Sequence, residues 1–185
     1  MKKVAICKFE DLIGEEDAIS VKTMLKIEKL KKDKYLLIVH SKKKTEDILY
    51  YNRDFPFIDY IINEKGYYTY DVKKKKKIIN KNINKQIINR IHKMYYNKPI
   101  IFIGENGIIK DNKIIKENIY EINVYDDDDE QLTNLSIKIN KDNKKITISK
   151  EELSLKNMIK EICIKLKINE NNIIQLTRTK LNELD

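Results

Sequence analysis

The first apolar positions form an unbroken run, "VAIC" from Val4 to Cys7, that stops at Lys8 with the acids Glu10 and Asp11 close behind. A short continuous run bounded by charge is the pattern of a strand covered on both faces. From Ser20 a helical rhythm takes over: in "SVKTMLKIEKLKKD" Met24, Leu25, Ile27 and Leu30 fall on one stripe, and Ser20 is placed to cap it. "KYLLIVHS" returns to the buried-strand pattern and ends in His40 and Ser41. "TEDILYYN" predicts a helix, "FPFIDYII" a turn feeding a strand, and "NEKGYYTYD" a hairpin that bends at Gly66. The order β, α, β, α, β with short links specifies parallel strands joined by right-handed crossovers. The carboxyl ends of VAIC and LLIV should therefore lie side by side.

The middle of the chain reads differently. "KKKKK" at Lys73 to Lys77 reads as a solvated connection. After it, Ile83, Ile87, Ile88, Ile91 and Tyr95 recur at helical spacing. "KPIIFIGENG", "GIIKDNKIIKENI", "YEINVYDDDDE" and "LSIKINKDNKKITIS" follow, strand-like runs separated by Gly, Asp and Asn clusters, hence hairpins beside one helix. "LSLKNMIKEICIKLKI" then predicts an amphipathic helix and "NNIIQL" a short strand, so the chain returns to its first pattern. Residues 79–150 read as a small α+β insert within an α/β core made of residues 1–78 and 151–185.

Composition sets bounds on partners. The 185 residues are 41% hydrophobic and 36% charged, with a formal net charge of +9, enough apolar sequence for a core beneath a highly charged surface. That charge comes from lysine; arginine occurs only at Arg53, Arg90 and Arg178. Readers of bases and phosphates rely on the bidentate arginine fork, so the surplus reads as a solvated surface, and any nucleic-acid binding is expected to be non-specific. Cys7 and Cys163 lie in separate apolar segments and read as buried thiols in a reducing, cytoplasmic compartment. No apolar run has the length of a membrane span, and the start lacks a signal-peptide pattern.

An insert inside a βαβ fold, closed by a C-terminal helix and strand, is a cap arrangement. "FPFIDYIINEKGYYTYD" is similar to the "LGLDDYVICENGALIYD" region of the Cof-type sugar-phosphatase subgroup, with Glu64, Gly66, Tyr70 and Asp71 in step. "ISVKTMLKIEKLKKDKYLLIVHS" and "IKEICIKLKINENNIIQL" agree in pattern with other core segments. The chain thus resembles the haloacid dehalogenase (HAD) superfamily. The resemblance implies a HAD-like Rossmannoid core with a mainly parallel sheet and a reduced cap.

It also implies where chemistry should sit. Family members attack phosphate through an aspartate on the first strand, in DxDGT, with a second aspartate two residues on as general acid. Aligned without gaps, Lys8 takes the nucleophile position and Glu10 the acid position; shifted by two, Glu10 and Leu12 take them. An ammonium cannot form a phosphoaspartate and would repel the metal. Ser41 matches the second motif, a hydroxyl that bonds a phosphate oxygen. Leu155 stands at the motif lysine, with Lys156 one residue later and about 100° round the helix. In place of the metal-binding GDxxND the chain has Thr177, Arg178, Leu181 and Asn182. Divalent ions require anionic oxygen ligands.

These departures imply a degenerate family member without Mg²⁺-dependent phosphatase activity, acting as a binding or regulatory module. Its expected anion-binding groups are Lys8, Ser41, Lys156 and Arg178, with a phosphate or anionic small molecule as ligand, no cofactor, no membrane association and room for a protein partner. One alternative is a phosphate-ester hydrolase working through Glu10 or Asp11 with Ser41, for which Mg²⁺ would be the cofactor. Another is a basic nucleic-acid-binding domain, resting on charge alone. His40 reads as a structural strand-end residue, "GENG" as a hairpin turn, and "YDDDDE" as a solvated turn.

Overall fold

The computed structural model describes residues 2–13, 18–109, 117–126, 132, 135 and 137–183. The chain divides into two compact units: residues 1–80 with 154–185, and residues 81–153.

The first unit is built on a six-stranded sheet. Strand β1 (Lys3–Lys8) leads into a single helical turn, α1 (Phe9–Leu12). Ile13 then pairs antiparallel with Ile19. Helix α2 (Val21–Lys32) follows, capped by Ser20, whose hydroxyl accepts the Thr23 N–H at 3.1 Å. Next come β2 (Tyr35–Ser41), α3 (Thr45–Tyr51), β3 (Tyr60–Asn63), β4 (Tyr68–Asp71) and β5 (Lys76–Asn80). After the second unit the chain returns with α5 (Leu155–Leu166), β11 (Ile173–Leu176) and α6 (Arg178–Glu183). The strand order is β11-β1-β2-β3-β4-β5. The first four strands run parallel and the last two antiparallel, a mixed α/β sheet with a parallel heart.

Side-chain alternation explains why the parallel strands lack a polar face. Ala5, Cys7, Leu37, Val39 and Ile61 pack on one side with Ile27 of α2, Ile48 of α3 and Leu181 of α6. Val4, Ile6, Ile38 and Ile62 pack on the other side with Met158, Ile162 and Cys163 of α5. Both cysteines are free and buried, as their apolar settings suggest.

The second unit packs α4 (Lys85–Met94) on a five-stranded antiparallel sheet of order β7-β6-β8-β10-β9. Its strands are β6 (Ile100–Gly104), β7 (Gly107–Ile109), β8 (Ile119–Tyr125), β9 (Lys138–Asp142) and β10 (Lys145–Ser149). Ile88, Ile91, Phe102, Ile122 and Ile148 form its core. "GENG" is the β6–β7 turn, with Gly107 at φ +104°.

Two sequence expectations change. Leu25 is 61% exposed, because the buried face of α2 turns toward Ile27. Lys73–Lys75 form an exposed turn, in line with the solvated reading, but Lys76 and Lys77 begin β5, and the Lys77 ammonium stands 4.2 Å from the centre of the Tyr68 ring. Lysine stems cover apolar surface while their charges stay in water, so an edge strand tolerates this composition. Most of "YDDDDE" lies outside the described residues. Among the described residues no helix is long and apolar enough to cross a membrane.

Candidate functional site at the strand ends

Parallel register brings three strand ends together. Lys8 pairs with His40, His40 with Ile62, and Ser41 with Asn63, so Lys8, Ser41 and Glu64 close three adjacent strands. The Glu64 N–H donates to the Ser41 carbonyl at 3.0 Å, holding the start of the β3–β4 turn against β2. Gly66 makes that turn at φ +79°. A Cβ there would lie 2.7 Å from the backbone nitrogen of Ser154, the residue that caps α5. The N-terminal end of α5 is therefore seated on the turn that carries Glu64.

Because α1 starts directly after β1, Glu10 is carried back toward β2. Ser41, 1% exposed, donates its hydroxyl to Glu10 Oε1 at 2.6 Å and accepts the Lys43 N–H at 2.9 Å. Glu10 Oε2, Glu64 Oε2 and His40 Nδ1 are buried without a hydrogen-bond partner. Burial pushes the His40 imidazole below its ordinary pKa, opposed by Glu64, Glu10 and Asp11, while Lys8 acts with burial. All four groups act on this imidazole through their charge. The Cys7 thiol is pushed up by burial and by nearby Asp11, so it is no thiolate nucleophile at neutral pH.

The remaining sequence candidates are placed differently. Arg178 is exposed at the start of α6, and its guanidinium Nη2 donates to the Ile13 carbonyl at 3.0 Å, tying α6 to the segment after α1. Lys156 is exposed on the first turn of α5. The structure brings Lys8, Glu10, Asp11 and Ser41 together and adds His40 and Glu64. No carboxylate is near His40 in sequence, which makes it read as structural; register and the hairpin supply three, Glu10, Asp11 and Glu64. Glu64 was missed as a site residue, although its place just after the third parallel strand was a usable signal.

The donor set does not fit a hard divalent cation. Such ions need several anionic oxygens in one shell, and among the described residues no three His, Cys, Asp or Glu side chains come together in that way. Glu10 spends one of its oxygens on the Ser41 hydroxyl.

Comparison with known proteins bears on the origin of this site. Residues 12–184 match the haloacid dehalogenase-like hydrolase family. No curated protein matches the sequence. Among solved structures, a phosphatase of the haloalkanoate enzyme superfamily from Bacteroides thetaiotaomicron has a TM-score of 0.61 at 10% identity, covering 95% of this chain and 76% of that one. A protein from Thermotoga maritima has a TM-score of 0.61 at 15% identity, covering 95% and 79%. A HAD subclass IIB sugar phosphatase has a TM-score of 0.58 at 13% identity, covering 94% and 79%. At these identities the likeness to solved structures is one of fold. The family match spans nearly all of the sequence: the chain belongs to the haloacid dehalogenase-like hydrolase family.

Proposed function

We propose that this chain is a binding or regulatory member of its family and not a Mg²⁺-dependent phosphatase. The observation that carries this reading is the 2.6 Å hydrogen bond from Ser41 to Glu10. By the family resemblance, that hydroxyl is the one expected to hold a phosphate oxygen. Here an internal carboxylate accepts its proton. Lys8 at the nucleophile position and Arg178 in the acidic segment support the same reading. A ligand for this site carries a phosphate or another anionic group that displaces Glu10 from Ser41 and draws on Lys8, with Lys156 and Arg178 as outlying cations. We take the insert read over residues 79–150, which the second unit at 81–153 largely overlaps, to be the reduced cap, and the buried thiols to suit a cytoplasmic setting.

The test is a titration of inorganic phosphate into the purified protein while its unfolding midpoint is followed. A ligand that binds only the folded form raises the midpoint with concentration; the rise should shrink in Lys8→Ala and Ser41→Ala. A flat titration of the parent protein would leave the site an internally neutralised relic and overturn the ligand. Generic phosphate esters with Mg²⁺ should not be hydrolysed.

A second reading has its own observation. Glu10 Oε2 is buried without a partner, leaving its lone pairs open, and the family is one of hydrolases. Glu10 or Asp11 would then act on a phosphate ester held by Ser41. Turnover abolished by Glu10→Gln or Asp11→Asn would put this reading first.

A further inference from the structure

We infer that a second ligand site lies away from the strand ends, in a cavity between α2, the start of β2, β11 and α6, and that it takes an amphiphilic anion, an apolar body of acyl-chain size bearing one carboxylate or phosphate head. The cavity has a volume of about 510 Å³, within the range of sites that hold small organic ligands. Leu30, Tyr35 and Ile174 give it apolar walls. An inorganic anion would leave most of that surface wet.

Lys26 selects the head group. This lysine lines the cavity and is 8% exposed, an uncommon burial for its type. Its ammonium donates to the Leu181 carbonyl. An ammonium has three donors, and among the described residues no carboxylate forms an ion pair with this one. A buried cation without a counter-charge is costly unless something anionic reaches it. Lys29 and Lys180 add two exposed cations at the same cavity, and Lys180 Nζ is anchored on the Gln175 carbonyl at 3.3 Å. Among the described residues of the lining Asp33 is the one acid, and it is exposed at the end of α2. Three cations against one acid favour an anionic head, and the apolar walls favour a hydrophobic tail.

None of the strand-end residues takes part, so this site stands or falls apart from the function proposed above. The experiment titrates the full chain with octanoate, octyl phosphate, 1-octanol and inorganic phosphate, following heats of binding. Octanoate or octyl phosphate should bind saturably, the tighter of the two identifying the head. 1-Octanol should bind at least about tenfold more weakly than octanoate, and inorganic phosphate should displace octanoate at least about tenfold more weakly than octyl phosphate does, since each lacks one half of the interaction; displacement of octanoate leaves out any phosphate held at the strand ends. Lys26→Met keeps the stem and removes the charge, and should weaken binding about tenfold, the worth of one charge-assisted hydrogen bond. Should that variant fail to fold, Lys180→Met and Asp33→Asn carry the test on the surface: the first should weaken binding and the second tighten it. Binding should persist in Ser41→Ala. The proposal is overturned by an absence of saturable octanoate binding, by 1-octanol matching octanoate, by inorganic phosphate displacing octanoate as readily as octyl phosphate does, or by indifference to both surface variants.

Discussion

Removing the Ser41 hydroxyl should cost more than one ordinary hydrogen bond, and most of that cost should vanish when Glu10 is removed as well. In Ser41→Ala, Glu10 Oε1 loses its donor while Oε2 already has none, and the Lys43 N–H loses its acceptor. With a charged acceptor the lost bond is worth about 1.5–3 kcal/mol. Glu10→Ala alone should cost less, because it also removes a negative charge from a site shared with Asp11 and Glu64, and Ser41 keeps its bond from Lys43. The double variant should therefore be more stable than the sum of the single changes by about 1.5–3 kcal/mol, the coupling of the pair. Urea unfolding of the four proteins measures it, with hydrogen exchange at the β1 and β2 amides confining the reading to the six-stranded sheet. A coupling below about 0.5 kcal/mol, the level at which independent sites add, would mean that Glu10 does not hold Ser41 in solution. An internal carboxylate would then not fill the phosphate's place.

Three further outcomes are expected. Gly66→Ala places a Cβ within 2.7–2.9 Å of the Ser154 backbone at φ +79°; the backbone term and the overpacking together should cost about 2–4 kcal/mol in urea unfolding, and a loss under about 1 kcal/mol would show that α5 is not seated there. Asn52, 7% exposed, accepts the N–H groups of Phe57 and Ile58 at 2.8 Å each through Oδ1, so Asn52→Ala should cost about 2–4 kcal/mol, and near-neutrality would refute the bonding. His40 has its pKa lowered in the folded protein; the unfolded chain therefore takes up the proton first as pH falls through about 6.5. Stability should drop from there down to the folded pKa, and His40→Gln should flatten that part of the profile; an unchanged slope would remove His40 as its source.

The parallel heart of the fold was legible because β1 and β2 are continuous apolar runs and because short β-α-β links leave little topological freedom. Ser20 and Gly66 were legible for local reasons, a cap and a left-handed turn. Strand β5 was hidden, since a lysine-rich edge strand has no apolar alternation to betray it. At the site, adjacency of Lys8 and Ser41 followed from strand order. The Ser41–Glu10 bond did not: it depends on α1 turning back within four residues, a direction no periodicity encodes. His40 gained Glu64 from a hairpin more than twenty residues further on and Glu10 and Asp11 from α1 about thirty residues back, neighbours that only strand register creates.

Strand β1 lies between β2 and β11, yet β11 is separated from it by almost the whole chain. During synthesis β1 can pair with β2 early, while its other edge must wait for residues 173–176. At about 5–20 residues per second that wait is roughly ten to thirty seconds. For that interval the growing chain presents the bare backbone edge of an apolar strand, the kind of surface that recruits other strands. Residues 81–153 face no such delay, since all five strands of their sheet are contiguous in the sequence. The nascent protein therefore should carry a finished second unit alongside an unfinished first one, and the ribosome-bound chain is where chaperone dependence or misassembly would appear.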